Sequence, residues 1–135
     1  MTDVIIQVAK FLAAKTGRGY GKEIFYYQMP EEVDTCVVVQ RNKSNVHVPV
    51  QIDAGYHSVR IAVRSTSSDA AYGLALEMYK ALESVTDESV NDSPGFVSLE
   101  ETTAQVVLYD APTWHSQDQQ SRKVFDFTAS LITKR

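Results

Sequence analysis

The side chains that most readily carry catalysis or hold a metal are few in this sequence: His47, His57 and His115, the single cysteine Cys36, and some carboxylate pairs. Metal centres need Cys, His and carboxylate ligands clustered at set spacings. The three histidines are scattered, and none has a ligand-type partner four residues along a helix. They read as surface or strand histidines. Cys36 lies inside the apolar run DTCVVVQ, mid-strand, where a thiol packs rather than attacks, and no serine sits in an elbow motif. Asp110 and His115 could meet in one turn as an orienter and a base, but a polar turn supplies such a pair by chance. Glu31-Glu32 and Glu100-Glu101 are adjacent with no sign of a cleft around them. Gly17, Gly19 and Gly21 in TGRGYGKE have the spacing of a phosphate loop. They follow a helix and precede a strand, the reverse of the order such a loop needs, and so read as a helix stop. No catalytic, cofactor-binding or metal-ligating residue is assigned.

Contact chemistry is better represented. Trp114 stands in the polar stretch DAPTWHSQDQQS, where an indole either folds back onto the sheet or anchors a partner. Seven tyrosines (Tyr20, Tyr26, Tyr27, Tyr56, Tyr72, Tyr79 and Tyr109) suit half-buried, wet-edged positions such as an oligomer seam. The polar excursion from Arg41 to Tyr56 contains alternating Val46, Val48, Val50 and Ile52. It is either an extended arm whose apolar face another chain covers or a hairpin packed on its own domain. Residues 83–101 hold six acidic side chains and no basic one, which reads as a solvated loop or as a face for a basic partner.

The bulk numbers bound these readings. The chain has 135 residues, enough for a single domain with a real core. Apolar residues make up 44% and charged residues 22%, an ordinary globular balance. A net charge of -4 argues against a nucleic-acid binder, which needs a basic surface. One cysteine cannot staple the fold, so the chain is expected to fold under reducing conditions. No apolar run approaches the ~20 residues of a membrane span, and MTDVIIQVAKFLAAK lacks the order of a signal peptide. Synthesis in a cytoplasm is the expectation.

The elements that must position these residues follow from periodicity. Thr2 or Asp3 can cap a first helix with Val4, Ile5, Val8, Phe11 and Leu12 on one face. Residues 23–28 read as a short strand, Met29-Pro30-Glu31-Glu32 as a turn, and 34–40 as a strand covered on both faces, because Cys36-Val37-Val38-Val39 does not alternate. HSVRIAVRS alternates, with Val59, Ile61 and Val63 inward and Arg60 and Arg64 outward, so one face is expected to be buried. After it the period becomes 3.6. Ala71, Leu74, Ala75, Met78, Leu82 and Val85 form one helical stripe, which Thr66 or Ser67 can cap. Short strands at 96–99 and 104–109 follow. The stretch 110–121 reads as a polar turn, and 122–133 as a strand with Phe125, Phe127, Ala129 and Leu131 inward. Strands 104–109 and 122–133 should pair antiparallel across that turn. The expected fold is α+β: a mixed, mostly antiparallel sheet with two main helices packed on it, in the order α-β-β-β-α-β-β-β. It spans 1–135 as one domain with a possible extended arm at 41–56.

Four stretches together give a resemblance: DVIIQVAKFLAAK, GKEIFYYQMPEEVDTCVVV, VRIAVRSTSSDAAYGLALEMYKAL and APTWHSQDQQSRKVFDFTASLITKR. In their order, spacing and length the chain resembles the tail terminator proteins of long-tailed phages, including small phage minor capsid proteins. It departs from that pattern at 41–56 and in the length of its acidic loop. The resemblance implies a structural virion protein with no enzyme activity and no cofactor. It would close the head-proximal end of the tail tube as a hexameric ring, stop tube growth and present a surface for head-tail joining. The implied partners are other copies of itself, the major tail tube protein and a neck or head-completion protein. No membrane and no specific nucleic-acid binding is implied, though a ring lumen would pass DNA. The implied location is the virion tail, after synthesis in the host bacterial cytoplasm.

A ring needs heterologous contacts, one patch meeting a different patch on the neighbour. On that footing Val46, Val48, Val50, Ile52 and Trp114 are expected in partner contacts, with Arg41 and Lys43 supplying complementary charge. The alternatives are a head-completion protein of the neck and a small cellular α+β ligand-binding regulatory module; a small hydrolase lacks a site.

Overall fold

The computed structural model describes residues 3–42, 54–83, 89–90, 93–94, 96–99 and 103–134. The acidic stretch lies mostly outside these residues.

Helix α1 (Val4–Thr16) starts where Asp3 caps it, its carboxylate accepting from the Ile5 N–H at 2.8 Å. It ends at Gly17, whose φ of 73° is the left-handed turn that a Cβ disfavours. The glycine-rich stretch is therefore the helix stop its context indicates. Val4, Ile5, Val8 and Leu12 are buried as their spacing requires. Helix α2 (Ser68–Glu83) begins at Ser67, whose hydroxyl accepts from the Ala70 N–H at 3.1 Å. Its Ala71, Leu74, Ala75, Met78 and Leu82 are buried on the expected stripe.

The strands are β1 (Ile24–Tyr26), β2 (Cys36–Arg41), β3 (Ala54–Ser65), β4 (Ser89–Val90), β5 (Ser93–Pro94), β6 (Phe96–Ser98), β7 (Thr103–Leu108), β8 (Thr113–Gln117) and β9 (Lys123–Lys134). Seven form one sheet in the order β1-β2-β3-β9-β7-β6, with β8 also on β9, while β4 and β5 pair separately. The fold is the α+β arrangement expected. Helices and principal strands run α-β-β-β-α-β-β-β, with the two-residue hairpin β4–β5 and strand β8 added.

β9 is the spine. β3 pairs with it along its whole length, antiparallel, with Val63 opposite Phe125, Ile61 opposite Phe127 and Val59 opposite Ala129. On the other side β7 pairs antiparallel with residues 129–133, as expected, and β8 takes residues 123–126. The stretch read as a polar turn thus contains a strand: β9 outruns β7, and its unpaired end recruits Thr113–Gln117. Both helices lie on one face, α1 against β1 and β2 and α2 against β3 and β9. Ile5, Leu12, Val37, Val39, Ile61, Met78, Leu82, Phe127 and Leu131 fill the space between. Each large apolar side chain closed off there contributes about 1.5–3 kcal/mol.

The opposite face is not bare. β1 and β2 are parallel, so the chain must cross over between them, in only residues 27–35. This crossover lies on the outer face. Met29 packs on Val38, Ala62 and Val124, and Arg64 Nη2 donates to the carbonyls of Pro30 and Val33, each at 2.5 Å. β3, expected to bury one face, therefore buries Ala62 and Arg64 on the other as well. Arg122, 2% exposed, reaches the same loop through the Glu31 carbonyl at 2.7 Å and is braced by Asp118 at 2.7 Å. The non-alternating Cys36–Val39 run is fully covered, as its pattern predicts.

Candidate assembly interface

Of the residues expected to meet partners, Lys43, Val46, Val48, Val50 and Ile52 lie outside the described residues, as does His47. Arg41 and Trp114 are described, and they stand apart. Arg41 is at the end of β2, its guanidinium 3.4 Å from Asp3 and 3.5 Å from His57 Nδ1. Tyr27 donates its hydroxyl to the same Asp3 carboxylate. Burial holds the His57 imidazole below its usual range, and the Arg41 charge pushes the same way. Arg41 is thus tied into the α1 cap while remaining half exposed. Beside it a cleft of about 490 Å³ is lined by Tyr27, Gln40, Arg41, Asn42 and Arg60. Arg60 is committed there to Asp126 at 2.8 Å and Gln40 at 2.7 Å.

Trp114 folds back onto the sheet only in part. Its ring meets the cross-strand Phe125 edge-on, with centroids 5.6 Å apart and an interplanar angle of 86°, yet 51% of the residue remains exposed. Tyr72 of α2 contacts the same Phe125 edge-on from its own side at 5.6 Å and is also exposed. Phe125 packs against the core. It is the platform on which two outward-facing aromatics rest.

A second aromatic group lies at the far edge of the sheet. Tyr20 stacks on Tyr26 with centroids 6.1 Å apart, Tyr26 meets Tyr27 edge-on at 5.9 Å, and Lys10 Nζ sits 5.8 Å from the Tyr20 ring centre. All three tyrosines are exposed. Tyr26 is in register with core-facing Val39, so it belongs to the helix-bearing face. The turn carrying Tyr20 is held to α2 by Arg18, whose guanidinium bonds Glu77 at 2.7 and 2.9 Å and Glu23 at 2.9 Å. These bonds hold the Glu77 carboxyl below its usual range and raise the Arg18 guanidinium.

The sequence named the tyrosines as seam residues without separating them. In the structure Tyr20, Tyr26 and Tyr27 gather at β1 and Tyr72 meets Phe125 beside Trp114, whereas Tyr79 packs edge-on against core Phe127 at 5.4 Å and Tyr109 shares a hydrogen bond with Ser130 at 2.5 Å. The arginine clamp of Arg64 and Arg122 was not foreseen, because outward parity in a strand normally means solvent. Chemistry finds little here. Cys36 is buried and unbridged, and burial raises its thiol against the opposing charges of Arg64 and Arg122. His115 bonds neighbouring Ser116 at 2.7 Å. Among the described residues no group of three or more His, Cys, Asp or Glu side chains is placed to hold a metal, and no helix is long and apolar enough to cross a membrane.

Exposed aromatics stand at β1, with Tyr20, Tyr26 and Tyr27, and at β8, with Trp114, while Val107 and Tyr109 are exposed as well. Residues 11–135 match the family described as bacteriophage tail terminator protein. The chain belongs to that family, whose members are structural proteins of the phage tail rather than enzymes. It is therefore a tail component of a virion. A chain from the virion of a native gene transfer agent particle is similar at 15% identity, covering 92% of this chain and 84% of that one, with a TM-score of 0.48. A likeness of that strength says nothing about function. No curated protein matches the chain.

Proposed function

We propose that this protein ends tail assembly: as a hexameric ring it caps the head-proximal end of the tail tube, stops polymerisation and offers its far side to a neck or head-completion protein. The observation that carries this reading is the family match over residues 11–135. The physical character of the described surface supports it. A closed ring of like subunits needs two unlike patches per subunit, and exposed aromatics at β1 and at β8 supply candidates. Weak affinity between free protomers keeps the unassembled pool from closing early, and the tube end raises their effective concentration. The whole chain acts as one domain, with the 41–56 segment as an arm onto a partner. Val46, Val48, Val50 and Ile52 supply its apolar contacts and Lys43 its charge, and Arg41 and Trp114 contact partners from the described surface. The finished ring surrounds the path of the DNA without reading its sequence. The protein is made in the host bacterial cytoplasm.

Deleting the gene and imaging the particles tests the proposal. Overlong tails without heads are expected. Tails of normal length that fail to join heads would instead make this a neck protein. Changing both Val48 and Val50 to serine should reduce headed, correctly sized tails; normal particles would remove the arm from the account.

A further inference from the structure

Tyr26 and Trp114 stand on β1 and β8 at two edges of one sheet, with Tyr20 in the turn before β1 and Tyr72 on α2. β1 and β8 are separated by β2, β3 and β9, four strand spacings or about 19 Å. Neither group can reach the other within one protomer. Glu23 beside the tyrosine group is engaged by Arg18 at 2.9 Å, and Lys123 beside the tryptophan group by Gln117 at 2.6 Å and the Ser121 carbonyl at 3.0 Å; the other charges differ between the groups. The tyrosine group has Lys10 over Tyr20, and Lys22 in the turn between Tyr20 and Ile24. The tryptophan group has Asp69 one helical turn before Tyr72, exposed on the first turn of α2. Neither Lys22 nor Asp69 has an ion pair among the described residues.

We infer that the tyrosine group of one copy docks on the tryptophan group of the next, so that Tyr20 and Tyr26 pack against Trp114 and Tyr72 of a second copy of this chain. The inference rests on the ring reading and specifies the seam that reading leaves open. Three observations select this occupant. Both groups are aromatic, the residue type enriched at the desolvated centres of interfaces. Each is held before contact, Tyr26 by its stack on Tyr20 and Trp114 by its edge contact on Phe125, so little side-chain freedom remains to be lost. Like-to-like pairing about a two-fold axis would bring lysine to lysine or aspartate to aspartate, whereas unlike pairing brings Lys22 toward Asp69. Unlike pairing is heterologous, the type that propagates around a ring. Arg18 then gains a second role. By fixing the Tyr20 turn to α2 through Glu77, it sets the position of one docking surface relative to the helix that carries the other.

The test places the photo-crosslinker p-benzoylphenylalanine at Tyr26, an exposed position that tolerates an aromatic replacement, in the full chain. Tails purified from cells making this variant are illuminated and digested for mass spectrometry. The expected result is an adduct joining position 26 to a peptide that carries Trp114 or Tyr72 of another copy, with a ladder that stops at six. An adduct to the Tyr20–Tyr27 peptide of another copy, or to a different tail protein, overturns the seam. Ring density in the tails without any adduct between copies also overturns it and leaves the ring reading standing. Tails that carry the protein in no ring overturn both. As a second measurement, Trp114→Ala should lower the amount of ring per tail by more than about tenfold, the scale of an interface anchor, while circular dichroism keeps its folded spectrum. Unchanged incorporation refutes the pairing.

Discussion

Trp114→Ala also has a definite cost to the isolated protomer, and its size separates an anchor from a core residue. The indole is 51% exposed, so about half of a large aromatic surface, roughly 120 Å², is buried on folding. At about 25 cal/mol per Å² this is about 3 kcal/mol. A realistic unfolded chain already covers part of that surface, which brings it to about 2 kcal/mol. The edge-to-face contact with Phe125 adds about 0.5–1.5 kcal/mol. No cavity penalty applies, because the vacated site opens to water. The expected loss is therefore about 2–3.5 kcal/mol. The assay is urea unfolding followed by far-ultraviolet circular dichroism, at a concentration where light scattering gives one protomer mass. With a slope of about 1.5–2 kcal/mol per molar, the midpoint should fall by about 1–2 M. Trp114→Phe should keep the contact and lose under about 1 kcal/mol, whereas Phe125→Ala, which removes the platform, should lose about 3–5 kcal/mol. A loss below about 0.5 kcal/mol would mean the indole does not rest on Phe125. A loss above about 4 kcal/mol would make Trp114 a core residue. Either result refutes the description of a half-seated docking anchor.

Arg64→Met removes two charge-assisted bonds to the crossover carbonyls, about 1.5–3 kcal/mol each, and relieves the buried Nε that has no partner, worth about 1–3 kcal/mol. Destabilisation of about 1–3 kcal/mol should win, with faster proteolysis within residues 29–35; equal or greater stability would show that the clamp does not hold the loop. Glu77 is held below its ordinary carboxylate value chiefly by its hydrogen bond to Arg18. Its contribution is thus fully present above the unfolded value of 4.5 and is lost as pH falls through the folded value, so Arg18→Gln should flatten the acid limb of a urea-midpoint profile. An unchanged limb counts against the pair. Gly17→Ala forces a Cβ into a φ of 73° and should cost about 1–2 kcal/mol in thermal unfolding, although no atom lies within 4 Å to clash. Ellman's reagent should leave Cys36 unmodified in the folded protein and react with it in urea, since the thiol is buried and raised; rapid labelling in buffer would contradict that burial.

Local chemistry was enough to specify much of this molecule. The 3.6-residue stripes place both helices, capping side chains at Thr2 or Asp3 and at Thr66 or Ser67 mark their starts, and Gly17 stops the first. Alternation sets the inward face of β9, and the solid apolar run at Cys36–Val39 states that β2 is covered twice. Each of these is decided within a few residues, so sequence alone determined it. Long-range pairing decided the rest. The parallel joining of β1 to β2 sends Met29–Thr35 over the outer face, and Arg64 is buried by carbonyls 31 and 34 residues away in the chain. No local pattern distinguishes that arginine from an exposed one. TWHSQ has no alternation of its own and becomes β8 because β9 extends past β7 and leaves its donors and acceptors open. Trp114 and the tyrosines stand out in the sequence by residue type, but that Tyr20, Tyr26 and Tyr27 gather at β1 while Tyr72 meets Phe125 beside Trp114 depends on strand order. Strand order minimises the free energy of the whole sheet, after every loop-closure cost has been met, and that sum cannot be read from any one segment.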